Sequence, residues 1–142
     1  MMRLTRRYRF SASHRLHAPG LSAAENVEAY GKCNNPLGHG HDYVLEVSVR
    51  GPLDPRSARV VNVPELDRLV ERMALSRLRH RDLNSEVPEL AGVPPTTENL
   101  AIAIRASLAR YWEQVFPGDS PVLERIRIYE TRRNVFETVE VI

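Results

Sequence analysis

The sequence has one cysteine, one lysine and one tryptophan in 142 residues, and aromatic side chains make up only 6% of it. A single thiol excludes an internal disulfide framework and cannot build the closed, cysteine-rich shell of a structural zinc site. No apolar run approaches the roughly 20 residues of a membrane span. The opening Met1-Met2-Arg3-Leu4-Thr5-Arg6-Arg7 has no hydrophobic segment behind it of the kind a secretory signal needs. A soluble, cytoplasmic protein with no membrane partner is therefore expected. Nucleic acid is not expected as a partner either, because charge signs alternate along the chain and no basic block is interleaved with aromatics. Repeats, linkers and low-complexity tracts are also lacking. Residues 1–142 accordingly read as one domain, long enough for a core without staples.

With Lys32 the only lysine, the positive charge is almost all arginine, and the balance is +2 with a sequence pI near 9.0. Guanidinium groups suit bidentate contacts to phosphate, which fits an anionic small substrate. A solvated, arginine-biased surface is the plainer account of most of these positions.

What the chain does contain is concentrated in the stretch from Tyr30 to Tyr43, which holds Cys33, His39 and His41 with Gly31, Gly38 and Gly40. From Asp42 the sequence alternates, with Tyr43, Leu45, Val47 and Val49 on one face and Val44, Glu46, Ser48 and Arg50 on the other. Extended backwards, the apolar face takes in His41 and His39, so two imidazoles project to one side of one strand. The first strand, Arg3 to His14, also alternates, and His14 ends the face that carries Leu4, Tyr8, Phe10 and Ala12. Three histidines from two strands form the ligand set of a catalytic zinc that keeps one position open. Ordinary hydrogen-bonding histidines at strand ends are the alternative.

Further along, His17 to Ala29 reads as a loop, Ala58 to Asn62 as a short third strand, and Pro64 to Leu78 as a helix. Arg79 to Pro95 is a polar connection. A second helix starts at Thr96 or Thr97, carries the stripe Leu100, Ile104, Leu108, Tyr111 and Val115, and stops at Pro117-Gly118. Val122 to Glu130 and Val135 to Ile142 form a final strand pair. The order β-β-β-α-α-β-β predicts an α+β fold: a mostly antiparallel sheet with both helices on one face.

The motifs Phe10-Ser11-Ala12-Ser13-His14-Arg15-Leu16, Cys33-x5-His39-Gly40-His41, Thr96-Thr97-Glu98-Asn99 and Tyr129-Glu130-Thr131 occur in the order found in the 6-pyruvoyl-tetrahydropterin synthases, and the chain resembles that family over nearly its whole length. The related 6-carboxytetrahydropterin synthases often have a shorter Cys-x3-His-Gly-His spacing, so the five residues here resemble the pyruvoyl branch more closely. The resemblance implies a tunnelling fold, in which the sheets of several subunits join into a barrel. It also implies a homo-oligomer, typically a hexamer of two trimers, with sites at subunit boundaries. The implied activity is a zinc-dependent lyase that eliminates triphosphate from 7,8-dihydroneopterin triphosphate. The alternatives are the carboxy product of the deazaguanine pathway, and a pterin- or metal-binding protein without catalysis.

Residue roles follow from the same resemblance. His14, His39 and His41 would hold Zn2+. Cys33, on residue chemistry alone either a general base or nucleophile or an inert thiol, matches the catalytic cysteine. Glu130 ends a row of apolar side chains, where a carboxylate needs a partner: a ligand with a guanidine-like edge, or an arginine. The family places its pterin-anchoring glutamate there. Thr96, Thr97 and Glu98 would line the pterin pocket, or else cap the helix. His80 matches the family's catalytic histidine, yet its usual Leu-Asp-His setting reads Leu78-Arg79-His80 here, leaving Asp82 as a substitute orienter.

Overall fold

Alternation at the start of the chain becomes β1 (Met2–His14), paired antiparallel along its length with β2 (His39–Gly51), with His14 opposite His39 and Met2 opposite Gly51. The structure, a computed structural model, describes residues 1–139. β3 (Val122–Tyr129) and β4 (Val135–Glu137) complete a four-stranded antiparallel sheet in the order β1-β2-β3-β4. Helix α2 (Val63–Val70) runs through a wider π turn (Glu71–Leu75) into the single turn α3 (Ser76–Leu78). Asn62 caps α2, and Thr96 caps α4 (Thr97–Val115).

The helices cover one face of the sheet. Phe10, Tyr43, Leu45, Val47, Ile126 and Ile128 meet Leu66, Leu69 and Leu75 from the α2–α3 run and Leu100, Ile104 and Leu108 from α4, all nearly or fully out of water. Arg6 faces the same way as Leu4, and its guanidinium forks the Asp67 carboxylate of α2 at 3.0 and 2.9 Å. On the opposite face Glu46 is buried, a position an isolated carboxylate could not hold; Arg7 supplies the charge at 2.7 and 3.1 Å. Among the described residues no helix is long and apolar enough to cross a membrane.

Several expectations need correction. The supposed loop from His17 to Ala29 contains helix α1 (Ala23–Tyr30), opened by a capping box in which Ser22 and Glu25 satisfy each other's backbone N–H groups. Residues 58–62 are not a strand. Asp54 accepts from the N–H groups of Arg56 and Ser57 at 2.7 and 3.0 Å, and its own N–H donates to the Arg59 carbonyl at 2.8 Å. That closed turn takes up the Ala58 N–H and the Arg59 carbonyl at the start of the expected strand, and Val61 reaches the core beyond it without pairing in the sheet. The connection after Arg79 buries Leu83, Val87 and Leu90, so it is less polar in effect than in composition. The last strand is short: Thr138 and Val139 lie outside it, and the remainder of the expected strand lies outside the described residues.

The row of apolar side chains that Glu130 ends is interrupted near the start of β3. Val49 faces Leu123 while Ser48 faces Arg125, which leaves Glu124 as the extra residue of a bulge. Leu123 therefore turns to the core, and Glu124 turns to the other face, where it pairs with Arg3 and Arg50. From Ile126 onwards the expected face holds.

Candidate metal centre

The register of β1 and β2 builds the centre. His14 ends one strand, His39 begins its neighbour directly opposite, and His41 stands across from Ala12 on the same face. His41 Nε2 lies 2.8 Å from His39 Nε2 and 3.1 Å from His14 Nε2. The Cys33 Sγ is 3.5 Å from His39 Nε2, and the four donors all lie within 4.8 Å of one another. Gly38 makes the approach possible: its φ is +70°, and a Cβ there would fall 2.9 Å from the His14 carbonyl oxygen.

Cys33 is delivered by a 3-10 turn, Gly31–Asn34, that follows α1 after Gly31 adopts φ 53°. The Leu16 N–H donates to the Cys33 carbonyl at 2.6 Å, tying the turn to the chain just beyond β1. Asn34, buried, donates to the Leu16 carbonyl at 2.7 Å, and the buried Asn26 bridges Ala18, Leu21 and Ser22 in the same way. These amides do the work of secondary structure where the chain has none.

The donor chemistry fits a cation. Because the Pro95 carbonyl 3.0 Å from His14 Nδ1 can only accept, that nitrogen carries the proton and Nε2 presents a lone pair. His41 Nε2 then has His14, His39 and, at 3.4 Å, the Glu130 carboxylate around it, with at most one proton to offer them. One proton cannot satisfy all three contacts, whereas a cation among the nitrogens would. Nitrogen separations near 3 Å also fit bonds of about 2.0–2.1 Å around a shared tetrahedral ion. Burial lowers the basicity of His14 and His41, keeping both imidazoles neutral and available as ligands. Burial, followed by the Glu130 charge, pushes the Cys33 thiol up, so a thiolate there requires a compensating positive charge.

Glu130 follows β3 and turns its carboxylate to His41; among the described residues no arginine pairs with it. Tyr43, which the sequence offers only as a core residue, belongs to this centre as well. Its buried hydroxyl has no hydrogen-bond partner among the described residues, and its acidity is suppressed by burial and by the nearby Glu130 and Cys33. The signal was its position two residues after His41 on the same face. The Pro95 carbonyl, a backbone atom, had no sequence signal at all.

The other expected site residues are distributed differently. Thr96 caps α4 by accepting from the Asn99 N–H at 3.2 Å, Thr97 buries a hydroxyl with no partner among the described residues, and Glu98 is exposed in a groove between α4 and Phe136–Val139. His80 is exposed at the outer edge of β1, where its N–H donates to the Ser11 carbonyl at 2.6 Å and its φ is 59°. Among the described residues no hydrogen bond, ion pair or ring contact joins its imidazole to Cys33 or the three histidines. Neither neighbour orients it. Arg79 forks Glu71 at 2.8 and 3.0 Å, and the Asp82 carboxylate accepts from the Asn84 N–H and the Ser85 hydroxyl at 3.1 and 2.8 Å.

Comparison with known proteins agrees with this geometry. The 6-pyruvoyl tetrahydropterin synthase family profile matches residues 3–140. A 6-pyruvoyl tetrahydrobiopterin synthase of Drosophila melanogaster is 46% identical over 134 residues, covering 93% of this chain and 76% of that protein. The Homo sapiens protein of the same name is 42% identical over 132 residues, covering 93% and 87%. The solved structure of Caenorhabditis elegans 6-pyruvoyl tetrahydropterin synthase superposes with a TM-score of 0.87 at 38% identity, covering 99% of this chain and 96% of that one. The four-stranded antiparallel sheet with its helices is thus the tunnelling fold, and the chain belongs to the 6-pyruvoyl tetrahydropterin synthase family.

Proposed function

We propose that the protein is a zinc-dependent 6-pyruvoyl-tetrahydropterin synthase that eliminates triphosphate from 7,8-dihydroneopterin triphosphate. The convergence of three imidazole nitrogens with the Cys33 thiol and the Glu130 carboxylate is the observation that carries this reading. His14, His39 and His41 would hold the ion. When bound, zinc would polarise the substrate's side-chain hydroxyls, acidify the adjacent C–H bonds and favour the neighbouring thiolate.

Cys33 takes a proton from the substrate side chain as general base. Glu130 anchors the pterin through paired N–H donors on the ring edge, and the unpartnered hydroxyls of Tyr43 and Thr97 are available to the same ligand. Thr96 sets the first turn of α4, and Glu98 has no hydrogen bond or ion pair among the described residues. His80, the second proton carrier, serves the centre of a neighbouring copy. That role requires the homo-oligomer, read here as a hexamer of two trimers whose sheets join at their edges. The lone, unpaired Cys33 suits a reducing cytoplasm.

Incubating the purified protein with 7,8-dihydroneopterin triphosphate and resolving products by mass tests the reading. The pyruvoyl product with free triphosphate is expected; the carboxy product or no turnover would overturn it. Glu130→Gln should weaken binding of a pterin analogue by roughly tenfold to a hundredfold, the range for losing a charged hydrogen-bond partner, with metal content unchanged. Equal affinity by calorimetry would remove Glu130 from the pterin site.

A further inference from the structure

His17 stands just past β1 and outside the donor group. Its imidazole is half-buried, and its one hydrogen-bond partner among the described residues is Asn34, the residue bonded to Cys33. The contact has a fixed polarity. Asn34 Nδ2 lies 2.7 Å from the Leu16 carbonyl, which can only accept, so this end of the side chain is the amino group. One of its two hydrogens goes to Leu16, and the second meets His17 Nδ1 at 3.2 Å. That nitrogen therefore presents a lone pair, and the ring proton stands on Nε2.

Three consecutive residues thus grip the pair Cys33 and Asn34. Arg15 Nε donates to the Asn34 carbonyl at 3.1 Å, the Leu16 N–H donates to the Cys33 carbonyl at 2.6 Å, and His17 accepts from the Asn34 amide. Asn34 is only 8% exposed, so an amide hydrogen that lost its acceptor there would find little water. A buried donor left unpaired costs more than the bond itself contributes. The amide would have to move to regain a partner, and the turn that carries the thiol would move with it.

We infer that His17 is a positioning residue for Cys33, acting through the Asn34 amide; this rests on the synthase reading above, in which Cys33 is the base. The contacts run from imidazole to amide to the turn Gly31–Asn34, and end at a sulfur held 3.5 Å from His39 Nε2. A general base works only within hydrogen-bond reach of the proton it removes, so small displacements of the sulfur cost rate. Among the described residues no hydrogen bond or ring contact joins His17 to the three ligating histidines or to the Cys33 sulfur. Its influence is therefore on the rate of the proton transfer and not on the binding of metal or substrate.

The test uses the single cysteine, because thiol alkylation by iodoacetamide reports Cys33 alone. His17→Phe keeps a ring but has no acceptor, whereas His17→Asn puts an oxygen where Nδ1 stands. In the metal-loaded full chain, His17→Phe should lower kcat for 7,8-dihydroneopterin triphosphate about fivefold to tenfold, with KM changed by less than about twofold. The loosened thiol should be alkylated faster by a similar factor. His17→Asn should restore both rates to near those of the wild type. In an Asn34→Leu background, His17→Phe should add nothing, since the group it acts through is gone. The two His17 variants give the answer even where Asn34→Leu fails to fold. Wild-type kcat and alkylation in His17→Phe, equal damage in His17→Phe and His17→Asn, or a raised KM with kcat unchanged would each overturn the inference. A wild type without turnover, in which alkylation still separates His17→Phe from His17→Asn, would overturn the synthase reading alone.

Discussion

His14→Ala should strip the protein of its metal. Protein purified without added metal is expected to contain about one equivalent per chain, and the variant a small fraction of that. Losing even an outer partner of a ligating histidine typically costs 10–100-fold in affinity, and removing the ligand itself costs more. His14 is the sharpest choice of the three because its tautomer is fixed by the Pro95 carbonyl and it is 1% exposed. His80→Ala is the control: that imidazole is exposed and outside the donor group, so the metal should remain. Metal analysis by mass spectrometry on both variants gives the answer. Retention in His14→Ala, His39→Ala and His41→Ala alike would remove the centre from the account. Acidification should release the ion too, since proton and metal compete for the same nitrogens; depressed imidazole basicity keeps it bound somewhat below pH 6.5, the ordinary histidine value.

Cys33→Ala should leave the metal and abolish most turnover. Removing a general base costs roughly 10²–10⁴ in rate. The thiol contributes no backbone contact to its turn; the Cys33 carbonyl, not its side chain, holds Leu16, and so the fold should survive. Paired measurements of metal content and single-turnover rate separate the possibilities. Metal lost together with turnover would make the sulfur, 3.5 Å from His39 Nε2, a ligand of the ion. Unchanged turnover would make it a bystander.

Much of the centre was legible because strands write their geometry in a period of two. Once His39, His41 and His14 fall on apolar faces, antiparallel pairing of adjacent strands brings them together, and this chain pairs them residue for residue. The stripe on α4 was equally readable. Local signals overlooked or overridden account for other differences. Ser22 and Glu25 announce α1, but a helix of eight residues is too short for periodicity to register. Val60 and Val61 have strand propensity, yet they follow directly on the closed Asp54 turn and pack against the core without a partner strand among the described residues. A bulge, such as the one at Glu124, leaves no mark in alternating sequence that also contains charges on both faces. The separation of His80 from Cys33 is of another kind. Motif order says that both residues belong to a site and nothing about whether one chain supplies both.

Gly38 has a consequence for how the centre can vary. The strand ends bearing His14 and His39 approach so closely that a single methyl group on residue 38 would press on the His14 carbonyl. Any larger residue would have to spread the strand ends that position the ligands. The spacing of the imidazoles, and with it the size of ion they can share, is therefore constrained by a position that offers no donor of its own. A search for residues that tune metal selectivity in this protein would pass over it if confined to side chains that touch the ion.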